Sequence, residues 1–85
     1  MKHIRITYRM HGRRGEIAET CITLPMTSDA AKEVLSRRRR DEDAPHIIVN
    51  VVLHELAVLQ GYIGSDFISA EPDPAWAEID GKEDA

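Results

Sequence analysis

His46-Ile47-Ile48-Val49-Asn50-Val51-Val52-Leu53-His54-Glu55-Leu56-Ala57-Val58-Leu59-Gln60 is the most apolar stretch of this chain, and its conformation decides the architecture. Its first half is rich in β-branched residues, which suit extended backbone. Three features favour a helix instead. The run is long for a strand. Its polar residues His46, Asn50 and His54 recur every four positions, a stripe down one side of a helix that would face solvent or a partner. Gly61 stands where a helix end calls for a residue that takes positive φ. Upstream, Asp43 or Ala44 can cap the helix, and Pro45 suits its first turn. Such a helix is apolar over more than half of its circumference. It belongs at the centre of the fold or in an interface between two copies.

The face it covers is read at the other end of the chain. Ile4, Ile6, Tyr8 and Met10 alternate with His3, Arg5, Thr7 and Arg9, a period of two that gives one apolar and one basic face of a strand. His11-Gly12-Arg13-Arg14-Gly15 reads as a hairpin loop. A second strand, roughly Glu16 to Leu24, places Ala18, Thr20, Ile22 and Leu24 on one side and Ile17 and Cys21 on the other. Its weaker alternation allows a bulge midway. After Pro25, the capping residues Thr27, Ser28 and Asp29 open a short helix with Ala30, Ala31, Val34 and Leu35 on one face. Arg37 to Arg40 close it, where cations suit the negative end of the helix dipole.

Beyond Gly61, Phe67 and Ile68 lie between turn residues and leave room for a short third strand within Tyr62 to Ala70. From Glu71 onward two prolines, six acids and an isolated Trp76 describe a tail with no core of its own. The expected fold class is therefore α+β: an N-terminal antiparallel β-hairpin packed on two helices, in the order ββαα(β). Residues 1–70 make a single compact domain, and residues 71–85 an acidic, Pro-containing, disordered C-terminal tail.

Charge follows the same division. The chain of 85 residues has a formal net charge of −4. Residues 1–70 carry ten basic and nine acidic side chains, whereas residues 71–85 carry six acids and only Lys82. The acidity belongs to the tail, so it does not by itself exclude nucleic acid as a ligand of the body. No apolar run reaches membrane-spanning length, and Met1 to Arg5 lacks the apolar stretch of a signal peptide. With one cysteine, Cys21, and no internal disulfide available, the expectation is a cytoplasmic protein without membrane contact.

Catalytic and metal motifs fail on inspection. His54-Glu55-Leu56-Ala57-Val58 begins like a zinc-protease H-E-x-x-H helix, but Val58 stands where the second ligand must be. His46 and His54 are about 12 Å apart along a helix, too far to share one ion. Cys21 has no histidine nearby in sequence and reads as a buried structural thiol. No serine lies in a nucleophile-elbow context, and Gly12 and Gly15 bracket a hairpin rather than a phosphate loop. The expectation is no enzyme, no metal and no cofactor.

Two features point to binding. Arg5 and Arg9 project from the first strand, Arg13 and Arg14 sit in its loop, and Arg37, Arg38, Arg39 and Arg40 form a second cluster. Arginines contact phosphate well, although these lack interleaved aromatic residues for base stacking. In the tail, one helical turn aligns Trp76 with Ile79 amid acids, a docking element, a cover for a thin core, or a strap across the hairpin arginines. The preferred expectation is a non-enzymatic protein-binding module, an adaptor, regulator or inhibitor of a larger bacterial or phage-type assembly, with Arg5, Arg9, Arg13, Arg14, Trp76 and Ile79 as contacts. One alternative is a nucleic-acid-binding regulator that uses Arg5, Arg9, Arg13, Arg14 and Arg37 to Arg40. Another is a homo-oligomeric structural protein, a homodimer through the 46–60 helix.

Overall fold

In the computed structural model, which describes residues 1–36 and 42–83, the alternating N-terminal segment forms strand β1, Lys2–His11. Ile4, Ile6, Tyr8 and Met10 point to one side and are at most 3% exposed. β1 pairs antiparallel with β2, Ile17–Met26, from Lys2 opposite Met26 to His11 opposite Ile17, with no register shift. The turn between them closes through the Gly12 N–H, which donates to the Glu16 carbonyl at 2.8 Å, and Gly15 takes φ 80°. A side chain at Gly15 would be strained in that conformation.

The third strand is longer than the sequence suggested. β3, Gly64–Pro72, pairs antiparallel with the other edge of β1, giving a three-stranded sheet in the order β2-β1-β3. The bulge lies here rather than in β2. Thr7 opposes Ser69 and Tyr8 opposes Phe67, so Ile68 is an extra residue that breaks the alternation of β3.

Helix α1, Ser28–Leu35, starts at Thr27, whose hydroxyl accepts the Ala30 N–H at 3.2 Å. It ends at Leu35, with the Ser36 N–H donating to the Glu33 carbonyl at 3.2 Å. Arg37 to Arg40, expected to close this helix, lie outside the described residues. Helix α2, Ala44–Leu59, confirms the reading of the apolar run, with Pro45 in its first turn. Its end is a Schellman motif: the Tyr62 N–H donates to the Ala57 carbonyl at 2.9 Å, the Gly61 N–H donates to the Val58 carbonyl at 3.0 Å, and Gly61 has φ 92°.

Both helices cover the inner face of the sheet. Ala31 and Val34 of α1 and Val49, Leu53 and Ala57 of α2 close over Ile4, Ile6, Tyr8 and Met10, with Ile22, Leu24, Phe67 and Ala70 at the margin. Each large side chain buried this way contributes roughly 1.5–3 kcal/mol. One expectation is corrected at this contact. His46 does not face outward with Asn50 and His54; it is fully buried, whereas His54 is exposed. A four-residue step turns about 40° further round a helix, so His46 and His54 stand about 80° apart. Packing of Val49, Leu53 and Ala57 carries His46 inward with them.

The disordered tail is the second correction. Glu71 and Pro72 belong to β3, Pro74–Trp76 is a 3-10 turn, and Ala77–Glu83 is a helix, α3. The local composition is that of a solvated segment, and what orders it is contact with the far end of the chain. Among the described residues no helix is long and apolar enough to cross a membrane.

Candidate functional site

The outer face of the sheet is built by the odd-numbered residues of β1, and each meets a polar partner across the strands. Arg5 lies 3.4 Å from both Glu71 and Asp73, Arg9 3.7 Å from Glu19, and His11 2.5 Å from Asp66. The Thr7 hydroxyl lies 3.5 Å from Cys21 Sγ. Cys21 is exposed on this face, not buried as its sequence context suggested. Exposed pairs of this kind add little stability, but they occupy charge. Arg5 and Arg9 of the sequence-derived set are thus engaged with carboxylates, while Arg13 and Arg14 stand exposed in the turn. Arg37 to Arg40 lie outside the described residues.

At one end of this face the two ends of the chain meet. The His3 N–H donates to Asp80 Oδ2 at 2.8 Å, and His3 Nδ1 lies 2.9 Å from Asp80 Oδ1. Trp76 stacks on the His3 ring, with centroids 4.0 Å apart and planes 13° from parallel. Asp73 accepts hydrogen bonds from the Thr23 hydroxyl and from the Ala75 N–H. Both carboxyls are held below their ordinary range. For Asp73 the Thr23 hydrogen bond is the main cause, followed by that from Ala75, and Arg5 adds to them. For Asp80 burial opposes ionisation most strongly, and the hydrogen bonds from His3 with the charges of His3 and Lys2 outweigh it. A cleft of about 540 Å3 opens beside this corner, lined by Lys2, His3, Lys32, Asp73 and Asp80 among others. Trp76 and Ile79, proposed as contacts, remain 39% and 51% exposed. The acidic segment therefore covers His3 and Arg5, and it reaches neither Arg9 nor the Arg13–Arg14 turn through any ion pair among the described residues.

A second feature, mainly apolar, is on the far side of the helical layer. Ile47, Ile48, Val51, Val58 and Leu59 of α2 are exposed, Leu59 to 81%. A groove of about 380 Å3 adjoins them between α1, α2 and the end of β2, lined by Leu24, Met26, Val34, Ile48 and Val52 among others. The cause is geometric. A helix apolar over more than half of its circumference can press only one side against a single sheet face. The sequence reading placed excess apolar surface in residues 46–60 without naming the outward residues. Fixing Val49, Leu53 and Ala57 as the inward row is the step that would have found them.

The donor atoms of Glu33, Asp43 and His46 lie within 4.8 Å of one another, where α1 ends and α2 begins. No motif announced this cluster, because its members come from two helices. No family model, curated protein or solved structure matches this chain, so its function rests on the surfaces themselves.

Proposed function

We propose that this chain is a non-enzymatic protein-binding module that acts as a homodimer, two copies packing through the outward faces of their α2 helices. The observation that carries the reading is the row Ile47, Ile48, Val51, Val58 and Leu59, exposed on a helix whose inward side already seals the core. Large contiguous apolar surfaces on small soluble proteins mark interaction sites. A second copy is the occupant the chemistry favours. A two-fold interface asks only that a patch complement itself, and here aliphatic side chains flank the exposed His54 and Glu55, a ring and a carboxylate that a two-fold axis can set opposite each other. A thin core also gains from association, a common recourse of small domains.

The paired copies would present the Arg13–Arg14 turns and the Trp76–Ile79 corners to a larger assembly, which is the adaptor or regulator role. At Arg5 and Arg9 the cross-strand pairing supports a protein partner rather than a nucleic-acid one, since phosphate there would have to displace carboxylates already in place. Sedimentation equilibrium tests the dimer. The unaltered chain is expected to sediment as a dimer, and a Val51→Glu chain with an unchanged circular-dichroism spectrum as a monomer. A monomeric unaltered chain at its highest soluble concentration would overturn the proposal.

A further inference from the structure

We infer that Glu33, Asp43 and His46 form a binding site for one divalent transition-metal ion, of the zinc, manganese or iron(II) class. His46 is fully buried, and neither of its ring nitrogens has a hydrogen-bond partner among the described residues. A neutral imidazole carries one donor and one acceptor, and buried polar atoms are normally satisfied. An ion on the free lone pair removes the more demanding half of that deficit.

The carboxylates stand where ligation requires them. Asp43 is the N-cap of α2, yet its side chain makes no capping hydrogen bond, so its oxygens are not spent on the helix end as those of an N-cap aspartate normally are. Asp43 and His46 occupy the N-cap and third positions, which a helix start brings to one side. Glu33 comes from the last turn of α1, and its carboxylate and the other two donors lie within 4.8 Å of one another. Bonds of about 2.0–2.2 Å place the ligand atoms of a tetrahedral ion roughly 3.4 Å apart. Rotation of the Glu33 and Asp43 carboxylates, one exposed and one half-buried, closes the difference while His46 stays fixed. One imidazole with two carboxylates suits zinc, manganese or iron(II) better than calcium or magnesium, which prefer all-oxygen sites. Water completes the shell on the open side. The ion would tie the end of α1 to the start of α2 independently of any contact between copies.

Calorimetric titration of the full-length, EDTA-treated chain with zinc chloride tests the site. One ion per chain is expected, and the same stoichiometry in the monomeric Val51→Glu chain, so the count does not depend on dimerisation. Glu33→Gln and Asp43→Asn, both at solvent-reaching positions that leave the core intact, should each weaken binding by more than about 10-fold. His11→Gln, which removes the exposed His11–Asp66 pair, should leave it unchanged. Cobalt(II) should give a visible spectrum without a thiolate charge-transfer band, which excludes Cys21 as a ligand. Absence of zinc binding, or binding undiminished in both Glu33→Gln and Asp43→Asn, would overturn the inference.

Discussion

β1 and α2 are the two apolar elements at the centre of this molecule, and they treat their two sides differently. On β1 the alternation is strict: the even-numbered residues are core, and the odd-numbered ones are polar, each with a partner across the sheet. On α2 aliphatic side chains stand on both sides, buried at Val49, Leu53 and Ala57 and exposed around His54 and Glu55 on the other. The outward side of β1 is thus polar and paired, whereas much of the outward side of the helix is aliphatic and exposed. Where polarity alternates with the period of the element, folding alone satisfies both sides. Where it does not, apolar surface is left exposed.

Substitutions can break that comparison. The largest effect is expected for Leu53→Ala, inward on α2, which removes a side chain only 1% exposed and should cost about 3 kcal/mol in denaturant unfolding. Val58→Ala, outward on the same helix and made in the Val51→Glu background, should change stability by less than about 0.5 kcal/mol, and a loss comparable to that of Leu53→Ala would show that the outward row is core after all. Next in size is Gly61→Ala at the helix stop, expected to cost about 1 kcal/mol because alanine is strained at φ 92°. Arg9→Ala on the polar face should cost less than about 0.5 kcal/mol, and chemical denaturation of that variant checks whether the outer pairs merely occupy charge.

The smallest expected change is local and depends on pH. Asp73 and Asp80 ionise more readily in the folded chain than when unfolded. Their contribution is fully present above the ordinary carboxylate range and is lost as pH falls through their lowered values. Emission from Trp76, the only tryptophan, should report its separation from His3 on acidification. An Asp80→Asn chain should already show part of that change at neutral pH. Identical spectra for the two chains at neutral pH would break the link between Asp80 and the stacked pair.

The sequence made β1, the hairpin and α2 legible because each follows a local rule: period two, glycine at a turn, a capped apolar run. The extent of β3 was hidden by Ile68, whose bulge spoils the alternation that marks a strand. The order of residues 73–83 was hidden for a different reason. Asp80 and His3 are 77 positions apart, and no local pattern announces such a contact. Of the proposed contacts, Trp76 and Ile79 do lie on the surface, with Trp76 set on His3 in a way only the fold reveals. The burial of His46 is hidden because a four-residue spacing does not run straight along a helix but drifts about 40° round it at each step.

The central place of β1 also fixes an order of events. Its pairing with β2 closes a short turn, whereas its pairing with β3 closes a loop of more than fifty residues, so loop-closure entropy predicts that the hairpin forms before the last strand docks. During that interval one edge of β1 is bare and can accept an equivalent strand from a neighbouring molecule. Exchange of β3 between copies is the misassembly this topology predicts, and refolding at low concentration should suppress it.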